Sequence, residues 1–379
     1  MRVAILGAGP AGLYSAYLLK KWIGSHLDVR VFEQNPPDAT FGFGVVFSDR
    51  ALEVLRRDDD QTHNAIVPHM ECWDDLTINI QDQRFRVDGF GFTAIGRLEL
   101  LKILQQRAED QGVIIRYNAL IRSADELAGA DLIISADGVN SLIRNTYAAE
   151  FGTEITYHTN KFVWYGTERA FDTLTQTFRE NIDGEFNVHH YRYSPDKSTF
   201  LVETNQSTWE QAGFREMNAD STRSYFEELF APELDGHPII ENNSQWRNFP
   251  KITQKHWSYK NIVLMGDALH TAHFSIGSGT RLAMEDAIQL VRSLRENLKD
   301  VPEALVHFEA QRRKIVDKLV AAANTSLDWY TDFGSRMKQD PYDFVRSYIG
   351  RSGRVDDERA RKISPEFMRK YDAYKAGRI

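Results

Sequence analysis

The feature that most constrains this chain lies in its first nineteen residues. The apolar run Val3 to Leu6 breaks into Gly7-Ala8-Gly9-Pro10-Ala11-Gly12, and helical apolar spacing then runs from Leu13 to Leu19. A strand, a glycine turn and a helix in that order open a dinucleotide-binding βαβ unit. Gly7 permits the tight turn, Gly9 lets a pyrophosphate approach the backbone, and Gly12 lets helix and strand pack closely. Unpaired N–H groups and the positive dipole end at the helix start favour phosphate. Val29, Val31 and Phe32 supply the second strand, and Glu33 ends it about 20 residues on, where a carboxylate meets a ribose hydroxyl pair. Ala11 and Gln34 belong to the same expected binding segment. Taken alone, the motif does not separate FAD from NAD.

Further along, Leu76, Ile78 and Ile80 alternate, as do Phe85 and Val87 after a turn at Asp82-Gln83, so 76–88 reads as a hairpin. Leu98 to Ala108 reads as a helix, with strands at Val113–Tyr117 and Leu132–Ser135. Helices alternating with buried strands indicate a parallel sheet covered on both faces. From about 155 to 250 the chain carries long aromatic strand candidates, Phe162 to Tyr165, Phe186 to Tyr193 and Thr199 to Glu203. Nucleotide-domain character returns at Ile262-Val263-Leu264-Met265, and helical patterns run from 280 to about 349. The expected architecture is α/β: a discontinuous Rossmann-like dinucleotide domain (1–75, 90–155, 260–300), a separate substrate-binding β-sheet domain (76–89, 156–259) and a helical C-terminal region (301–379). The charged run Arg351 to Lys362 reads as a solvated surface segment.

Composition removes several classes of function. The 379 residues, 42% hydrophobic and 12% aromatic, bury a large core, and a net charge of −8 argues against a general nucleic-acid binder. A single cysteine, Cys72, forbids an intramolecular disulfide and a cysteine-based zinc site; no metal is expected, and a reducing cytoplasm fits. No charge-free apolar stretch approaches the roughly 20 residues that span a bilayer, so no membrane anchor is expected. The chain is expected to be a monomer or homodimer.

Two further segments carry chemistry. Ser135-Ala136-Asp137-Gly138-Val139-Asn140-Ser141-Leu142-Ile143-Arg144 follows a buried strand, and Asp137 there reads either as a helix cap or as a site residue. Gly266-Asp267-Ala268-Leu269-His270 ends another strand, followed by Gly277-Ser278-Gly279-Thr280-Arg281 at a helix start, where backbone can approach a planar ligand and the dipole can stabilise its negative charge. The three segments, in this order, resemble the class A flavoprotein monooxygenases, typified by para-hydroxybenzoate hydroxylase, across most of the chain. The resemblance implies FAD held by Gly7, Gly9, Gly12 and Glu33 at its ADP half and by Asp267 at its ribityl chain. It also implies that Arg97 reaches the pyrophosphate region, that Asp137 contacts FAD and the nicotinamide donor, and that Gly44, Val45 and Val46 form a loop beside the isoalloxazine. Gly266, Gly277, Gly279 and Thr280 complete the expected cofactor set.

Within that class, Thr40 to Asp49, Trp164 to Thr167 and His270 to Thr280 resemble the salicyloyl-CoA 5-hydroxylase and anthraniloyl-CoA monooxygenase subgroup, and Trp246-Arg247-Asn248-Phe249 resembles the tryptophan hydroxylase of violacein biosynthesis. The implied reaction is FAD-dependent ring hydroxylation with NADH or NADPH and O2, through a flavin C4a-hydroperoxide from which water is excluded. The implied substrate is an aryl-CoA thioester such as salicyloyl-CoA; a tryptophan-derived or free aromatic acid is the alternative. CoA phosphates would meet Arg50, Arg56, Arg57 or Arg192. Phe274 stands where the class usually has proline and Arg281 where it has asparagine, and 379 residues leave no room for the second flavin domain of the anthraniloyl-CoA type.

For a base acting on the ring substrate, His189, His190, Tyr191 and Tyr165 are candidates. Strand alternation puts His189 and Tyr191 on one face and His190 on the other, which favours His189. His273 is the second catalytic candidate, and a histidine satisfied within the core is the ordinary alternative for each. Tyr165, Tyr191, Trp246, Phe249 and Phe274 are the substrate-contact candidates. Three rival readings remain at this stage. A flavin-dependent halogenase would carry a Trp-x-Trp-x-Ile-Pro signature, which is absent; an FAD-binding interaction protein would show no substrate-stimulated turnover; an NAD-dependent dehydrogenase would purify without flavin.

Overall fold

The computed structural model describes residues 1–378, Arg50 by its backbone alone. The near-continuous apolar runs Arg2–Leu6 and Leu132–Ser135 form strands buried on both faces, and these are the central pair of a six-stranded sheet. Its order is Ser258–Tyr259, Ile262–Leu264, Leu132–Ser135, Arg2–Leu6, Asp28–Phe32, Ile114–Arg116. All neighbours run parallel except the terminal hairpin 258–264, and Ile5 stands between Val31 and Ile134. The helices Pro10–Leu18, Arg97–Asp110 and Gly279–Glu296 pack together on this sheet. Full burial of each Leu, Ile or Val side chain contributes roughly 1.5–3 kcal/mol, and Val3, Ile5, Leu13, Val31, Leu104, Ile134 and Leu290 all qualify.

Gly44–Ser48, Phe92–Gly96 and Glu71–Trp73 form a small antiparallel sheet at the edge of this domain. The segment Gly44-Val45-Val46 is therefore the start of a strand and not a loop.

The second large sheet runs Ile239–Ile240, Thr153–Thr167, Lys197–Thr204, Gly184–Ser194, Leu174–Asn181, Leu76–Ile80, Gln83–Val87, with Arg247–Gln254 also paired to the 15-residue strand Thr153–Thr167. The hairpin expected at 76–88 joins it, parallel to Leu174–Asn181. Alternation divides its faces. Val163, Tyr165, Val188, Phe200 and Val202 point outward into a core with Phe226 and Phe230, residues of the segment that holds the helix Ala219–Leu229. Phe162, Trp164, His189, Tyr191, Leu201 and Glu203 share the opposite, inner face, because His189 pairs with Leu201 and Leu201 with Trp164.

The C-terminal region is less separate than the sequence suggests. The 31-residue helix Val301–Thr331 buries Ala304, Leu305 and Phe308 in the nucleotide-domain core, while Trp329 and Tyr330 at its far end join a second core with Phe178, Phe344 and Tyr348. The run Arg351 to Lys362 is not simply solvated. It contains most of the helix Asp357–Ile363 with Ala360 buried, and Arg351 donates from Nη2 to the Ser275 carbonyl at 2.8 Å. Among the described residues, no helix is long and apolar enough to cross a membrane.

Two helices are joined by buried charge. Arg312 donates from Nε to Asp286 Oδ1 at 2.7 Å and from Nη1 to Glu285 Oε2 at 2.8 Å, and His270 Nε2 lies 2.9 Å from Asp286 Oδ2. Burial pushes the Asp286 carboxyl up, but His270 and Arg312 outweigh it and hold it below the usual aspartate range. Asp286 therefore contributes stability above the ordinary aspartate pKa that is lost as pH falls through its lower folded value. Arg312→Met is expected to cost about 3 kcal/mol by removing the permanent positive charge beside buried Asp286 and leaving it His270 alone; a urea unfolding midpoint like that of the parent chain would contradict this.

Candidate active site

The glycine turn does what its spacing predicts. Gly7 has φ of 94°, and a Cβ there would overlap the Ala136 carbonyl, while one at Gly12 would overlap the carbonyl of Gly7. Gly9 differs: a Cβ on it would meet nothing, so its backbone borders open space at the start of the helix Pro10–Leu18. Glu33 stands at the end of the neighbouring strand, accepting from the Ala8 N–H at 2.8 Å and the Asn35 N–H at 2.9 Å. Gln34 follows it, exposed.

Three helices start around this space. Pro10–Leu18, Arg97–Asp110 and Gly279–Glu296 all begin without a side-chain cap, at Gly9, Gly96 and Ser278. The helices Ala219–Leu229, Val301–Thr331 and Pro341–Gly350 are by contrast capped by Asn218, Asp300 and Asp340. The starts of Pro10–Leu18 and Gly279–Glu296 are drawn together at Gly266, on which a Cβ would lie 3.2 Å from Ala11 and 3.5 Å from Ala283, and a Cβ on Gly277 would lie 3.4 Å from Val46. Arg97 and Asp267 face each other here. Burial pushes the Asp267 carboxyl up, with Arg97 and His270 partly offsetting it. Asp267 is nonetheless solvent-exposed, as a side chain at the floor of a deep cleft is. A Cβ on Gly279 meets nothing, like that on Gly9, and Thr280 sits beside it in the first helical turn. Orphan N–H groups at helix starts, bare glycine backbone and a carboxylate at the end of the neighbouring strand fit a long dinucleotide such as FAD. Asp137 has a structural duty as well: it accepts from the Leu142 N–H at 2.7 Å and from Ser135 Oγ at 2.5 Å, although the helix starts at Leu142 and not near Val139, and its N-cap is Ser141.

The inner face of the large sheet covers the other end of the cleft. Tyr191 donates to the Gly44 carbonyl at 2.9 Å and Thr199 accepts from the Gly44 N–H at 2.9 Å, fixing the strand Gly44–Ser48 to the sheet. Phe274 lies 5.0 Å from Phe162, 5.2 Å from His189 and 6.2 Å from Phe249 between ring centroids. Phe162, Trp164, Phe249 and Phe274 are all half-buried. His273 is buried against Phe249, and its Nδ1 meets Ser275 Oγ at 2.9 Å, with Ser326 Oγ 2.8 Å beyond. Burial and the neighbouring His189 and His158 hold its pKa well below the usual histidine value.

Other expected residues are not brought to this cleft. Tyr165 and Trp246 pack with Phe226 in the outer core, because Tyr165 shares the alternation of Val163. His190 faces outward too, against Phe171. Arg192 is paired with Glu71 and Arg57 with Asp58; Arg56 is exposed, and the side chain of Arg50 lies outside the described residues. Arg281, in the asparagine position, turns to Glu285 at 2.6 Å. Conversely, the sequence reading passed over Glu203, Gln176, Asn160 and Tyr330, which surround His189 on the inner face. A glutamate within the apolar strand Phe200-Leu201-Val202-Glu203 was the available signal.

Comparison with known proteins agrees with this geometry. The model of the FAD binding domain family matches residues 103–323, more than half of the chain. Salicyloyl-CoA 5-hydroxylase of a Streptomyces species is 41% identical over 362 residues, covering 93% of this chain and 70% of that protein. The 3-hydroxy-4-methyl-anthranilyl-[aryl-carrier protein] 5-monooxygenase of Streptosporangium sibiricum is 34% identical over 332 residues, covering 87% of this chain and 89% of that one. Among solved structures, 2-methyl-3-hydroxypyridine-5-carboxylic acid oxygenase superposes with a TM-score of 0.73 at 20% identity over 94% of this chain and 96% of that one, a likeness of fold.

Two glycine substitutions separate packing from binding. Gly9→Val is expected to fold and yet purify with FAD affinity reduced at least about tenfold, roughly 1.4 kcal/mol, whereas Gly12→Ala loses folded protein before flavin binding is in question. Flavin absorbance per folded chain, with circular dichroism alongside, checks both; full flavin loading in Gly9→Val would show that the open space is not the cofactor's.

Proposed function

From the premise that this chain belongs to the FAD-dependent aromatic monooxygenases, we propose that its substrate is an aromatic acid carried as a thioester, with salicyloyl-CoA, hydroxylated at its 5-position, as the first choice. One observation carries the thioester reading: the relatives at 41% and 34% identity are both named for thioester substrates, one on CoA and one on a carrier protein. A tryptophan-derived or free aromatic acid is the alternative. FAD, reduced by NADH or NADPH, supplies the activation of O2 when bound.

The chain's own residues do the rest. Phe162, Trp164, Phe249 and Phe274 offer aromatic faces and edges at the sheet side of the cleft, where a planar ring gains offset-stacked and edge-to-face contact. Their apolar surface excludes water from the reacting ring, which protects an oxygen-transfer step from hydrolysis. Tyr191 and Thr199 hold the strand Gly44–Ser48 in place, so the wall between sheet and cofactor keeps its spacing. Arg97 and Asp267, with the uncapped helix starts, hold the dinucleotide at the opposite end.

The test is NAD(P)H oxidation and product formation across salicylate, anthranilate, their CoA thioesters and tryptophan. The thioesters are expected to stimulate turnover and yield ring-hydroxylated product. Stimulation by the free acids but not by the thioesters would overturn the thioester reading.

A further inference from the structure

The mechanism above leaves one buried cluster unused. On the inner face, His189 and Glu203 come from neighbouring antiparallel strands, and His189 Nε2 stands 3.5 Å from Glu203 Oε2. Both atoms are fully buried and otherwise without a hydrogen-bond partner. A carboxylate oxygen and an imidazole nitrogen left facing each other in this way hold a proton between them or remain costly orphans.

Backbone carbonyls fix the direction of the surrounding hydrogen bonds. Asn187 Nδ2 donates to the Thr177 carbonyl at 3.2 Å, so its donation to Gln176 at 3.3 Å identifies the acceptor there as Oε1. The Tyr330 hydroxyl also donates to that oxygen, at 3.1 Å. Gln176 must then present Nε2 to His189 Nδ1, 2.7 Å away. His189 thus accepts at Nδ1 and carries its hydrogen on Nε2, pointed at Glu203. Asn160 Nδ2 is fixed likewise by the Tyr330 carbonyl at 2.9 Å, and it donates to Glu203 Oε1 at 2.9 Å.

We propose that Glu203 is a positioning residue for the hydroxylation: it sets the His189 tautomer, and the two side chains together form a buried acceptor for one proton given up by the ring substrate. The inference rests on ring hydroxylation as the activity. In the step, a substrate O–H bond breaks and its proton bonds to His189 Nδ1 as Gln176 turns aside. The hydrogen on Nε2 passes to Glu203 Oε2, so His189 ends neutral with its hydrogen on Nδ1, Glu203 ends protonated, and the negative charge remains on the substrate oxygen. Rotation of the Gln176 amide then offers Oε1 to the new N–H and turns Nε2 toward the Tyr330 hydroxyl, which accepts from it; the bond from Asn187 is lost, and Asn187 keeps the Thr177 carbonyl as its acceptor.

The electrostatics favour this final resting place. Burial, offset by Asn160 and His158, pushes the Glu203 carboxyl up to about 7, while burial and the positive Arg351 push His189 down to about 3. The titratable and charged groups around the pair are His158 and Lys251 on the paired strands, His190 on the strand of His189 itself, His273 on the loop, Asp328 and Tyr330 on the long helix, and Tyr348 and Arg351 beyond it. Burial lowers His158 and His273 and raises Tyr330, so these three stay neutral near pH 7. The ionised pair is the proton-accepting form, so activity rises with pH through the Glu203 titration.

The test uses the FAD-loaded full chain with glutamate carboxyl carbons labelled with carbon-13. One glutamate is expected to titrate with a midpoint of about 7, while exposed ones titrate near about 4.3, and that resonance disappears in Glu203→Gln. With an accepted ring substrate, wild-type kcat falls about tenfold per pH unit below the midpoint, and Glu203→Gln loses this limb and about 100-fold in kcat with KM unchanged. Glutamates that all titrate in the ordinary range, or a Glu203→Gln enzyme with wild-type kcat and pH profile, would overturn the proposal. Should that variant fail to fold, the wild-type enzyme decides: the kcat limb and the glutamate titration are expected to share one midpoint, and a limb absent or displaced from that midpoint would overturn the proposal. Failure of every thioester in the substrate panel would overturn the thioester reading and leave the shared proton standing.

Discussion

The whole cofactor end depends on one close approach of backbone to backbone. The helix Pro10–Leu18 can lie against the strand Arg2–Leu6 only because Gly12 brings no Cβ to the Gly7 carbonyl, and Gly7 in turn passes under Ala136 with positive φ. This contact aims the first turn of the helix at open space beside Glu33. The strand Leu132–Ser135 is held at the same point, so Asp137 and its bond from the Leu142 N–H follow from it. Ala11 against Gly266 carries the placement across to the helix Gly279–Glu296.

Helix starts divide the molecule in an informative way. Most of those remote from the cleft finish their own hydrogen bonds with Asp, Asn or Ser, as Asn218, Asp300 and Asp340 do. The three that meet at the cleft use glycine or leave the serine unused, and so keep donors free for a ligand. The same helix Gly279–Glu296 that offers its start to the cleft is tied at its middle to Arg312 through Asp286 and Glu285, which keeps the start from drifting.

What was legible in the sequence was local. Gly7 to Gly12, Glu33 and Gly266-Asp267 announce themselves because turn, strand and helix signals lie within a few residues of one another. Alternation correctly placed His189 with Tyr191 and against His190. It could not say which face a helix would cover, so Tyr165 was expected at the substrate, although it shares the outward face of Val163 and Phe226 packs against it. Trp246 misled for the same reason. Glu203 was hidden more deeply, since its meaning depends on Asn160, His189 and Tyr330, which three other elements supply. Arg351 looked like surface because its acceptor, the Ser275 carbonyl, lies 76 residues earlier in the chain.

The helix Val301–Thr331 belongs to two cores at once, with Phe308 in one and Tyr330 in the other. A rigid rod shared in this way acts as a splint. The sheet over the cleft and the domain beneath it cannot swing apart as two halves of a clam without tearing one end of the rod from its packing. Admission of a ring and release of its product therefore fall to movements smaller than a hinge, made within walls that the rod keeps at a fixed separation.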